Sequence, residues 1–75
     1  MVSSDVKNII RSYLSRRTPD GYFVIPAKHE ALNYLRDLEN AITYEIAGDI
    51  VFIKVKSRSL GERIIRRLHR LGLIA

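Results

Sequence analysis

The 75-residue chain has no cysteine, no tryptophan and no glutamine, and its single methionine is the first residue. Without cysteine there is no disulfide framework, no thiolate metal ligand and no thiol nucleophile. The depletion of thermolabile side chains, beside abundant Ile, Leu and Arg, makes the composition thermophile-like. Long hydrophobic runs are missing as well: none approaches the roughly 20 residues that cross a bilayer, so no membrane partner is expected. Met1 is followed by polar Ser3, Ser4 and Asp5, which is unlike the basic-then-apolar start of a secretory leader. The expected location is cytoplasmic.

Acidic charge is scarce in one stretch. Residues 54–75 contain Lys54, Lys56, Arg58, Arg63, Arg66, Arg67 and Arg70 against the single acid Glu62, a net +6. Residues 1–53 hold six cations and seven acids, or −1, so the whole +5 of the chain lies in its last 22 residues. A pI near 10.0 points to a polyanionic partner: nucleic acid, an anionic surface or an acidic protein. A hydrophobic fraction of 47% with 28% charged residues places the chain among folded globular proteins rather than disordered ones. Its length suits one small basic α+β domain over residues 1–75.

Apolar spacing sets out the elements. Ser3, Ser4 and Asp5 are N-cap residues for a helix to about Arg17, with Val6, Ile9, Ile10, Tyr13 and Leu14 on one face. Thr18-Pro19-Asp20-Gly21 is a turn, and Tyr22 to Ile25 a short strand. Pro26 stops that strand and opens a second helix to about Asn40, with Ala27, Ala31, Tyr34, Leu35 and Leu38 aligned.

Gly48-Asp49 has the form of a two-residue type II′ hairpin turn. It pairs Ala47 with Ile50, Ile46 with Val51, Glu45 with Phe52, Tyr44 with Ile53, Thr43 with Lys54, and Ile42 with Val55. Alternation then gives one face Ile42, Tyr44, Ile46, Val51, Ile53 and Val55, and the other Thr43, Glu45, Ala47, Ile50, Phe52 and Lys54, with Lys56 beyond. Ser59-Leu60-Gly61-Glu62 reads as a capping box opening a last helix to about Leu71, ended by Gly72. Leu73, Ile74 and Ala75 form either a short strand or a packed tail.

The predicted order is α-β-α-β-β-α. It describes an α+β two-layer sandwich related to the split-βαβ (ferredoxin-like) arrangement: a small antiparallel sheet with helices on one face. Residues 5–56, in the order α-β-α-β-β and with Ile25-Pro26-Ala27-Lys28 where strand meets helix, resemble the N-terminal half of the eighth small-subunit ribosomal protein family. That resemblance implies ribosomal RNA binding. The family's C-terminal half has no counterpart here, a basic helix follows instead, and no site residue is carried over.

Enzymatic chemistry finds no constellation in the sequence. His29 and His69 belong to no metal-ligand spacing, the eight carboxylates are scattered, and the serines have no nearby histidine. The four glycines form no phosphate-cradling loop. No catalytic residue, metal or cofactor is expected, and the chain is read as a non-enzyme.

The last helix is different. Leu60, Ile64, Ile65, Leu68 and Leu71 form one apolar arc, and Arg63, Arg66, Arg67 and Arg70 gather in another of roughly 100°. Glu62 is the only carboxylate in i,i+4 range, and it pairs with Arg66. Asp5, Asp20 and the acids of the second helix are the remaining sources of internal counter-charge. Arginine suits planar phosphate contacts. Phe52, Lys54 and Lys56 line the open hairpin face and lead into Arg58, which suits base stacking between cations.

The expected function is therefore a nucleic-acid-binding module contacting the phosphate backbone, inclined to RNA over DNA by the sheet face and compatible with a ribonucleoprotein. For DNA, no helix-turn-helix spacing is present. The alternative is a small interaction subunit of a larger complex, or a homodimer, in which Ile50, Phe52 and Tyr22 meet another protein.

Overall fold

The computed structural model describes residues 2–75, with side chains from Val6 onward. Helix α1 spans Val2–Tyr13, strand β1 Phe23–Lys28, β2 Thr43–Ala47, β3 Ile50–Val55 and helix α2 Arg58–Arg70. Between β1 and β2 lie two 3-10 helices, His29–Tyr34 and Arg36–Ala41. The α+β architecture follows the apolar spacing, but several boundaries do not.

The hairpin forms in the expected register, from Ala47↔Ile50 to Thr43↔Lys54. Gly48 has φ 62° and Asp49 does not have positive φ, as a type II′ turn demands of its two central positions. Thr18 to Gly21 also turns as expected: the Gly21 N–H donates to the Thr18 carbonyl at 2.8 Å, and the Tyr22 N–H to Thr18 Oγ1 at 3.1 Å. Strand β1 pairs antiparallel with β3, matching Phe23 to Val55, Ile25 to Ile53 and Ala27 to Val51. The sheet order is β1-β3-β2, so β3 is central.

Those six matched side chains are buried and make the floor of the core. Ile64, Ile65 and Leu68 of α2 cover them, together with Val6, Ile10 and Leu14 from the N-terminal helical region. On the opposite sheet face Val24, Pro26, Phe52 and Lys54 are half-buried and Glu45 is exposed, with no helix over them among the described residues.

Four expectations change. First, α1 already includes Ser3, Ser4 and Asp5, so they are not residues before the helix; their side chains lie outside those described. It ends at Tyr13 instead of Arg17. Ser15 Oγ donates to the Ser12 carbonyl at 3.1 Å, and Arg58 Nη1 donates to the Leu14 carbonyl at 2.7 Å, closing the helix end from outside.

Second, Pro26 does not stop β1. The Ala75 N–H donates to the Pro26 carbonyl and the Lys28 N–H to the Leu73 carbonyl, around an antiparallel bridge Ala27↔Ile74. A strand residue points its N and C=O to the same side, so the missing N–H of Pro26 faces this tail and costs the β1–β3 ladder nothing. Leu73 to Ala75 thus act as a short strand-like tail.

Third, residues 29–41 are 3-10 helical rather than α-helical. Because β1 runs on to Lys28, fewer residues remain to return along the sheet. Twelve 3-10 residues span about 24 Å, against about 18 Å as α-helix, and a six-residue strand is about 20 Å long. Leu32, Leu35 and Leu38 recur every three residues and all pack on the core, the period of a 3-10 helix. Tyr34, expected on that face, is exposed.

Fourth, Ser57, not Ser59, caps α2: its Oγ accepts from the Leu60 N–H at 3.2 Å. The C-terminal stop is as expected. Gly72 has φ 72°, its N–H donates to the His69 carbonyl, and the Leu73 N–H reaches back to the Leu68 carbonyl, a Schellman arrangement. The neighbour order tail-β1-β3-β2 is antiparallel throughout. The finer ferredoxin-like reading reaches less far, because the first crossover is not an α-helix and the last strand is a single bridge.

Gly61 is buried where α2 meets both Leu14 and the sheet residue Val55. A Cβ built there would stand 2.9 Å from Leu14 Cδ2 and 3.3 Å from Val55 Cγ2. Leu14 is itself buried and Val55 is β-branched, so neither yields freely. Gly61→Val is expected to lower unfolding free energy by about 1–3 kcal/mol through overpacking, read as a reduced urea midpoint at unchanged m-value.

Candidate nucleic-acid interface

The apolar arc of α2 determines where its arginines go. Ile64, Ile65 and Leu68 are fully buried, so Arg63, Arg66 and Arg70 are turned out of the helical layer and exposed. They border a shallow open depression of about 540 Å³ along the outer surface of α2, together with Arg67.

The four arginines are not equivalent. Arg67 is tied down: it donates to Asp37 Oδ1 at 2.8 Å and Oδ2 at 3.3 Å, and its Nη1 also donates to the Tyr34 carbonyl at 2.9 Å. The second-helix acids expected to offer counter-charge thus supply it through Asp37 alone. The Arg67 hydrogen bond holds the Asp37 carboxyl below its ordinary 3.8, and the same bond raises Arg67. Among the described residues, Arg66 has only the i,i+4 contact to Glu62, at 3.6 Å with both side chains about half exposed, an arrangement worth little in water. Among the described residues, Arg63 and Arg70 make no ion pair.

The cations upstream of the helix have internal partners. Lys54 pairs with Glu45 at 3.3 Å across the open sheet face. Lys56 Nζ lies 5.1 Å from the centre of the Tyr22 ring, a cation–π contact. Arg58 binds the end of α1 through Leu14. Arg17, not singled out by the sequence pattern, stacks 4.4 Å over the buried Phe23 ring and donates to the Gly21 and Lys56 carbonyls.

The expected site residues therefore do not form one surface. Phe52, half-buried between Pro26 and Glu45 in the register, lies with Lys54 on the open sheet face, and Arg63, Arg66 and Arg70 lie beyond the helical layer. The core separates them in a molecule of 31 × 26 × 23 Å. Ile50, on the same open face, is exposed, and Tyr22 lies half-buried beneath Lys56.

Sequence reasoning missed two cations. Lys7 and Arg11 of α1, one turn apart, face α2 across a groove of about 220 Å³ that also holds Arg58, Arg66, Glu62 and Ile10. Their i,i+4 spacing beside the apolar stripe was visible, but only the packing of α1 on α2 brings them to the arginines. The groove gathers four cations around one carboxylate, an arrangement that attracts anions and offers planar donors to phosphate. Among the described residues, no three acidic or histidine side chains gather as a metal site.

The Asp37–Arg67 pair has a pH signature. A carboxyl depressed in the folded state stabilises the fold fully above 3.8 and loses that contribution as pH falls through the lowered value. Carboxyl NMR titration should place Asp37 below 3.8 in the native chain and move it upward in Arg67→Met, which removes the largest of the lowering interactions.

Comparison with protein families, with characterised proteins and with solved structures finds no match to this chain. The resemblance to the ribosomal protein family gains nothing from them, and its element order fails at residues 29–41, since Ile25-Pro26-Ala27-Lys28 lies wholly within β1.

Proposed function

We propose that this chain is a non-enzymatic nucleic-acid-binding module that grips backbone phosphates with the outer surface of its two helices. One observation carries the reading: Arg63 and Arg70, without carboxylate partners among the described residues, share an exposed surface with the weakly paired Arg66 and, across the α1–α2 groove, with Lys7 and Arg11. Lys54, Arg58 and Arg67 already have internal partners and contribute long-range field more than direct contact. Contacts of this kind position a nucleic acid without reading its bases. The stacking argument that inclined the reading to RNA loses force, because Phe52 faces away from the arginines. The proposal is accordingly backbone recognition common to RNA and DNA.

Five available cations neutralising about five phosphates give a slope of log K against log salt of about −4.5 on duplex DNA and about −3.5 on single strands. Fluorescence anisotropy with labelled duplex DNA, duplex RNA and single strands between 50 and 300 mM salt, on the order of the range where such slopes are read, measures it. Arg63→Ala with Arg70→Ala should reduce the slope by roughly 1.5–2 and weaken all sequences alike. Slopes near zero, or a double variant that binds like the native chain, would remove the proposal. Arg67 is unsuited to this test, since replacing it also releases Asp37 and Tyr34.

A further inference from the structure

The two edges of the sheet are unlike. The outer edge of β1 is covered by the C-terminal tail, through Lys28 N–H to Leu73 O at 2.8 Å and Ala75 N–H to Pro26 O at 3.2 Å. Among the described residues, no backbone hydrogen bond covers the outer edge of β2. In the hairpin, Ala47↔Ile50 closes the two-residue turn, so Thr43, Glu45 and Ala47 direct their backbone groups to β3. Ile42, Tyr44 and Ile46 direct theirs outward.

The side chains of those three residues lie on the core side of the sheet; Ile42 is partly buried against the core, but the helical layer stops short of Tyr44 and Ile46. Tyr44 is 48% and Ile46 55% exposed, while their partners Ile53 and Val51 are fully buried. Edge strands are ordinarily blunted by lysine, proline or a bulge. TYEIA has none of these, and its one charge, Glu45, lies on the other face, bound to Lys54 of its own chain.

We infer that β2 pairs antiparallel with β2 of a second copy of this chain, centred on Tyr44, to make a continuous six-stranded sheet. Self-complementarity identifies the occupant. With Tyr44 opposite Tyr44, Ile42 meets Ile46, Thr43 meets Glu45, and the three outward residues of each copy exchange about six hydrogen bonds. Centring on Glu45 would set two carboxylates face to face, and centring on Ile46 would leave Ile42 without a strand partner.

In this register Ile46 of the second copy stands opposite Ile42, at the apolar end of a depression of about 380 Å³ that Leu32, Leu35, Ile42 and Tyr44 border together with the polar Asn33, Arg36 and Glu39. The two-fold axis of such a pairing is perpendicular to the sheet, so both α2 surfaces lie on the same side of the dimer.

The test uses the native chain and single-cysteine variants without nucleic acid, so its outcome is separate from that of the phosphate reading. Sedimentation should show the native mass doubling with rising concentration. The chain has no cysteine of its own, so Tyr44→Cys reports one register: the paired Cα atoms would be about 5.5 Å apart, within disulfide range. Glu45→Cys would stand diagonally about 7–8 Å from its twin and should cross-link far less under the same mild oxidation. Ile46→Lys, at an exposed position, should give a folded monomer whose melting temperature no longer rises with protein concentration. A native chain that stays monomeric, equal cross-linking of the two cysteine variants, or a folded Ile46→Lys that still dimerises would overturn the inference. If Ile46→Lys fails to fold, the cysteine pair alone decides.

Discussion

Strand β3 is hydrogen-bonded on both sides, and its alternation dictates the facing of every other element. Val51, Ile53 and Val55 are fully buried; Phe52 and Lys54 must therefore lie on the other face. The Gly48-Asp49 turn locks that choice, because a slip of one residue would carry the whole apolar set to the uncovered face. Once the buried row is set, β1 must present Phe23, Ile25 and Ala27 to the same side. The helices have one place left to dock. Their own apolar arcs then decide which polar residues are turned outward.

This chain of constraints explains what could be read from residues alone. The hairpin was legible because turn chemistry and alternation agree on one register, and the end of α2 because Gly72 follows the last turn of the helix. The crossover was misread because Ala31, Leu35 and Leu38 satisfy an α-helical face nearly as well as Leu32, Leu35 and Leu38 satisfy a three-residue period. What separates the two is the path length left after β1 continues through Pro26, and that continuation depends on the C-terminal tail, about fifty residues away in sequence. The cap at Ser57 was hidden for a related reason: Ser57 and Ser59 both precede the apolar arc, and Arg58 binding the end of α1 accompanies the earlier start.

The candidate site was legible in charge but not in grouping. Composition located the excess of cations in residues 54–75, and helical spacing gathered four arginines on one arc. Neither could show that Asp37 would take Arg67, that Glu45 would take Lys54, or that Lys7 and Arg11 would arrive from α1. Counter-charge is assigned by tertiary packing. It therefore separates cations that hold the fold together from cations that remain available to a partner.

That separation follows the layers of the molecule. Arg58 joins the two helices, Arg67 fastens the 3-10 crossover to α2, and Lys54 steadies the hairpin through Glu45. The arginines left over are on the outer surface of α2 because its inner surface is occupied by Ile64, Ile65 and Leu68. Leu71 is exposed beside those arginines, whereas Tyr44 and Ile46 are exposed on the β2 edge, because α1 and α2 sit over β1 and β3. The cations of α2 and the exposed apolar pair of β2 thus lie on different elements of a small domain. A polyanion on the helices need not compete with a second copy on the sheet edge, and sheet continuation would align two cationic surfaces on one side without moving either helix.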